Sequence, residues 1–109
     1  MQIEFKTDNH ITYGNDLSRL VESEVEHALG RFGEQIVRVL VHVNDANGHK
    51  GGDRDKRCMM EARLDRRLPI AVTHHADTVE SALHGAARRL AKAIEGVIGR
   101  AQAHRPLDA

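Results

Sequence analysis

Three groups of side chains in this 109-residue sequence are of types that can do chemistry: eight histidines, one cysteine and a set of sixteen arginines and lysines. His74 and His75 are adjacent in an apolar-rich run, with His42 on another such run. Neighbours on a strand point to opposite faces, so the two make a poor chelate and no metal site is expected. Cys58 falls among residues that alternate inward, and it reads as a small core residue. A lone cysteine cannot form an internal disulfide, which agrees with a reducing compartment. The stretch GHKGGDRDK superficially resembles a phosphate cradle but lacks the Walker spacing, and it reads as a loop. No metalloprotease or nucleophile-elbow motif is present, and no convergent polar pocket can be assembled. The reading is therefore not an enzyme, with no cofactor and no small-molecule substrate.

The cations form a more informative set. Arg89 and Lys92 lie three apart with Arg88 beside them, while Arg63, Arg66 and Arg67 crowd one short stretch and Arg57 stands just upstream. A guanidinium is a rigid fork of donors that matches phosphate oxygens, and several such contacts give salt-sensitive binding to an RNA backbone. The plain alternative is that these arginines only solvate the domain. Net charge is zero, which argues against indiscriminate nucleic-acid binding, yet the charges are unevenly placed. Residues 1–48 carry four basic and eight acidic side chains, residues 49–67 seven and four, and residues 68–109 five and four.

Periodicity indicates the elements that hold these groups. Val79, Ala82, Leu83, Ala86, Leu90, Ile94, Val97 and Ile98 recur at three- and four-residue intervals, which predicts a long helix from Asp77 to His104. Asp77 with Glu80 has the spacing of a capping box. Leu17, Leu20, Val21, Val25, Ala28, Leu29 and Phe32 form the stripe of an earlier helix, with Asn15 or Asp16 as its cap and an end near Gly30 and Gly33. Glu22, Glu24 and Glu26 lie off that stripe and read as a solvated acidic face.

Strands are expected at Met1–Lys6, at Ile36–Val43 with Val37, Val39, Val41 and Val43 on one face, at Lys56–Leu64 and at Leu68–His75. Cys58, Met60, Ala62 and Leu64 share a side, as do Leu68, Ile70 and Val72. Asn44–Asp55 reads as a long loop and Asp65–Arg67 as a turn. The order is βαβββα, an α+β fold. A single domain of four mixed strands with two helices on one face follows, because a strand–helix–strand unit demands a parallel pair and the two hairpins extend it antiparallel. Arg38, His42, Arg57, Glu61 and Arg63 are then expected on the open sheet face.

The length fits one domain, able to bury roughly 65% of its unfolded surface. We place it at residues 1–105, with 106–109 as a frayed tail after Pro106 interrupts the helix. With one tyrosine, two phenylalanines and no tryptophan, the core must be aliphatic. No apolar run is long enough to span a bilayer, and MQIEFKTD lacks the centre of a signal peptide. A cytoplasmic protein that does not engage membranes is expected.

The order from MQIEF through NDLSRLVESEVEHALGRFG and VRVLVHVND to HHADTVESALHGAARRLAKAI resembles the short ribosome-hibernation factors, the family of hibernation-promoting factor and ribosome-associated inhibitor A, also called sigma modulation proteins. The resemblance covers roughly residues 1 to 104, and its most specific part is the join into the last helix, with Ala82, Leu83, Gly85, Arg89, Leu90 and Lys92. It implies a fold like that of double-stranded-RNA-binding domains and a translation inhibitor of the stress response. Such a factor binds the small ribosomal subunit and its rRNA in the channel for messenger and transfer RNA. Arg89, Lys92 and Arg100 match basic positions of the family's last helix. The RNA-binding set expected here is Arg57, Arg63, Arg66, Arg67, Arg88, Arg89, Lys92 and Arg100.

Two departures from the family pattern stand out. Gly96, Ile98 and Gly99 occupy a region that is often lysine-rich in the family and where this helix is expected to be weak, and the first helix is acidic. Fewer phosphate contacts imply weaker binding with a shallower salt dependence. The sequence ends without the added dimerisation domain of the long factors, so self-driven pairing of ribosomes is not expected; the free protein is expected to be a monomer. The alternative is a protein-interaction module that uses the acidic first helix and the open sheet face without RNA.

Overall fold

The computed structural model describes residues 1–8, 14–45 and 56–103. These residues form β1 (Gln2–Thr7), α1 (Asn15–Leu29), a 3₁₀ turn (Gly30–Phe32), β2 (Ile36–Asp45), β3 (Lys56–Leu64), β4 (Ile70–Ala76) and α2 (Val79–Ala103). The expected loop over 44–55 lies, from residue 46 onward, outside the described residues, and so does the tail.

The four strands lie in the order β1-β2-β3-β4. β1 runs parallel to β2, with Ile3 opposite Val39 and Phe5 opposite Val41. β2–β3 and β3–β4 are antiparallel. Parallel neighbours cannot be joined by a tight turn, so α1 makes the crossover. The α+β reading holds: one mixed sheet, with both helices on one face.

Strand alternation decides which side chains meet the helices. Val39, Val41, Val43, Cys58, Met60, Ala62 and Leu64 are buried together with Val21, Val25 and Leu29 of α1 and with Ala82, Leu83, Ala86, Leu90 and Ile94 of α2. A fully buried Leu or Ile of this kind contributes about 1.5–3 kcal/mol relative to an exposed one. The opposite face carries Arg38, Leu40, His42 and Asn44 of β2 against Arg63, Glu61, Met59 and Arg57 of β3.

Four local expectations are corrected. Val37 does not join the inward set: the β2–β3 register shifts between Ile36 and Arg38, and this bulge turns Ile36 inward and leaves Val37 53% exposed. Leu68 is 86% exposed because β4 begins only at Ile70, opposite Ala62. Pro69 between them has no N–H to donate to the ladder.

The cap of α2 is Thr78, whose Oγ1 accepts from the Ser81 amide at 3.1 Å. β4 extends to Ala76, which shifts the helix start one residue beyond the expected Asp77 box. α1 is preceded by Gly14 without a side-chain cap; Asn15 and Asp16 lie inside the helix, where Asp16 still complements the first-turn dipole.

The glycine-bearing end of α2 stays helical through Gly96 and Gly99, although each glycine costs about 0.5–1 kcal/mol relative to alanine. Ile98 packs against the core there. Among the described residues, no helix is long and apolar enough to cross a membrane.

Candidate nucleic-acid interface

α1 and α2 lie side by side on the sheet, and their solvent-facing flanks leave a groove of about 620 Å³ between them. Helical period places its walls. Glu24, His27, Ala28 and Arg31 fall at i, i+3, i+4 and i+7 of the first helix and its 3₁₀ extension, while His84, Ala87, Arg88 and Ala91 do the same on α2. Arg89 and Lys92 complete the lining. Small alanines let the two helices approach and keep the groove open above them.

Four permanent cations therefore line one depression: Arg31, Arg88, Arg89 and Lys92. Arg31 is held in place, with its guanidinium 4.6 Å above the Phe32 ring and its Nη2 3.3 Å from Glu95. That ion pair is well exposed and contributes little to stability. Arg88, Arg89 and Lys92 are exposed and make no ion pair among the described residues. Among the described residues, Glu24 is the one carboxylate lining the groove, and His84 Nδ1 stands 3.1 and 3.2 Å from its two oxygens. This corrects the expectation of a solvated Glu24, since its side chain is only 18% exposed. Glu22 and Glu26 remain exposed.

The eight cations expected to face RNA separate into different regions. Arg88, Arg89 and Lys92 share the groove. Arg57 and Arg63 belong to the open sheet face, across the sheet from both helices, with Arg57 opposite Asn44 and His75 and Arg63 opposite Arg38. Arg38 pairs with Glu4 at 3.3 Å, so this face mixes signs.

Arg66 and Arg67 are exposed at the β3–β4 turn, which is closed by a bond from the Arg67 amide to the Leu64 carbonyl and anchored by the Asp65 amide on the Gln35 carbonyl. Arg66 has φ 61°, the left-handed region that side chains rarely occupy. Arg100 lies outside the groove lining, near Gly96 on the last turns of α2. Arg31, His27 and His84 were absent from the expected set. Applying the helical period to the polar residues of α1 as well as to its apolar ones would have found Arg31 and His27.

Cys58 is fully buried, and burial pushes its thiol from an ordinary 9.0 up to about 12 despite the opposing charge of Arg57. It is a core residue. Among the described residues, no cluster of three or more histidine, cysteine or acidic side chains is arranged to hold a metal ion.

A four-stranded mixed sheet with two helices on one face places the chain in a class of small α+β domains with solved representatives. It is similar to the N-terminal domain of Protein Y from Thermus thermophilus, with a TM-score of 0.72 and 14% identity over 89% of this chain and 99% of that one. It is also similar to a ribosomal subunit interface protein from Coxiella burnetii, with a TM-score of 0.75 and 12% identity over 91% of this chain and 99% of that one. At such identities the likeness is one of fold, and the resemblance read from the sequence holds at that level. No family model matches the sequence, and no curated protein does.

Proposed function

We propose that this chain is a ribosome-associated translation inhibitor of the hibernation-factor type, which occupies the small subunit by contacting rRNA phosphates and performs no catalysis. The observation that carries this reading is the inter-helix groove, where Arg88, Arg89 and Lys92 line one depression with Arg31, and where, among the described residues, Glu24 in the lining and Glu95 paired with Arg31 are the carboxylates these cations meet. Cations on two packed helices present their donors to one groove, and recognition of a sugar-phosphate backbone needs charge and shape more than base-specific contacts. The shared fold with a protein named for the ribosomal subunit interface supports the same reading. Inhibition follows from occupancy: a folded domain seated in the channel excludes messenger and transfer RNA without consuming anything.

Sedimentation of the purified protein with small ribosomal subunits in a low-salt gradient tests it. The protein should travel with the subunits, and Arg89→Glu with Lys92→Glu should return it to the top. A protein that stays at the top in its native form overturns the reading. Capture of a protein partner that survives nuclease and roughly half-molar salt would point to the protein-interaction alternative.

A further inference from the structure

With eight histidines and a net charge of zero, this chain changes charge chiefly through imidazoles near neutral pH. Two of them, His27 and His84, line the inter-helix groove. We propose that these two histidines make the groove's affinity for RNA phosphates pH-dependent, tighter as pH falls; the inference rests on the RNA-binding reading above.

The geometry around His84 gives the mechanism. Glu24 is an acceptor only, so the Nδ1 that approaches it at 3.1 Å carries the proton and donates. In the neutral ring, Nε2 is then an acceptor, which repels a phosphate oxygen, and the imidazole does nothing to offset the Glu24 charge. On protonation Nε2 becomes a second donor, and the imidazolium offsets the Glu24 charge. The imidazole side chain is 53% exposed, so an anion can reach it.

Charged and titratable groups surround His84 from each packed element. Glu24 and His27 of α1, Glu80 and Arg88 of α2 and His74 of β4 face it. Arg31, Arg89 and Lys92 lie in the same groove. His27 adds a second charge to the α1 wall. Protonation of the pair thus raises the positive charge of a groove that already holds four permanent cations.

The test measures dissociation constants for purified small ribosomal subunits between about pH 8 and about pH 6 at constant ionic strength. The native protein should bind roughly fivefold to tenfold more tightly at the acid end, on the scale of one or two added phosphate contacts. The double variant His27→Gln, His84→Gln should lose most of that slope. Glu24→Gln should bind more tightly than the native protein at the alkaline end. An unchanged slope in the double variant overturns the inference and leaves the RNA-binding reading standing. Absence of binding at every pH overturns both.

Discussion

The imidazole of His74 occupies the space that a side chain on Gly85 would need: a Cβ built there overlaps the ring. His74 faces the helices from β4, and Gly85 is the point on α2 where the helix comes down onto it. Replacing Gly85 with alanine should therefore destabilise the fold by about 1–3 kcal/mol, the usual cost of overpacking, against the small gain alanine brings to a helix. Urea unfolding measures it. Combining Gly85→Ala with His74→Ala should recover part of the loss, because the overlap is pairwise. Additive losses would show that the two positions act separately.

Cys58 should be inert to thiol reagents in the folded protein and react only on unfolding, since burial holds its thiol up at about 12. The linkage follows from the raised value. Below the ordinary 9.0 both states are protonated and the thiol leaves stability unchanged with pH; from 9.0 toward about 12 only the unfolded thiol ionises, so stability falls as pH rises. Labelling rates at mildly alkaline pH should track the fraction unfolded in denaturant. Rapid labelling of the native protein would contradict the buried placement.

Arg66 holds a left-handed backbone at φ 61° in the β3–β4 turn. A left-handed residue with a side chain costs roughly 1–2 kcal/mol, and glycine avoids this at some cost in unfolded-state entropy. Arg66→Gly should stabilise the domain by up to about 1 kcal/mol and raise the melting temperature by a few degrees. Arginine at a position that favours glycine is itself a reason to suspect a functional role for the turn. Subunit binding measured on the same variant separates the two: higher stability with weaker binding places Arg66 in the interface.

The division of the cations between groove and sheet makes the interface separable. Charge reversal at Arg88 or Lys92 should lower the slope of log affinity against log salt by about 1 per lost phosphate contact. Reversal at Arg63, on the open sheet face, should leave that slope within error. The opposite ranking would move the interface to the sheet.

Local geometry made much of the fold legible in the sequence. A period of two placed Val39, Val41, Val43, Cys58, Met60 and Ala62 on one sheet face, and a period near 3.6 placed Leu83, Leu90 and Ile94 on one helix stripe, because these repeats follow from backbone dihedrals that each residue shares with its neighbours. The βαβββα order fixed the parallel pair for the same reason: connection length and handedness are local constraints. What lay beyond reach was which faces would meet. Val37 left the core through a bulge set by its pairing with β3, and Leu68 lost its place because Pro69 delayed β4. Glu24, read as solvated, instead contacts a histidine sixty positions away. Arg31 joined Arg88 and Lys92 only because α1 and α2 pack together, whereas Arg57 and Arg63 went to the far side of the sheet. Periodicity assigns a side chain to a face of its own element; the neighbour that face acquires depends on long-range packing, and the candidate site lies between two such faces.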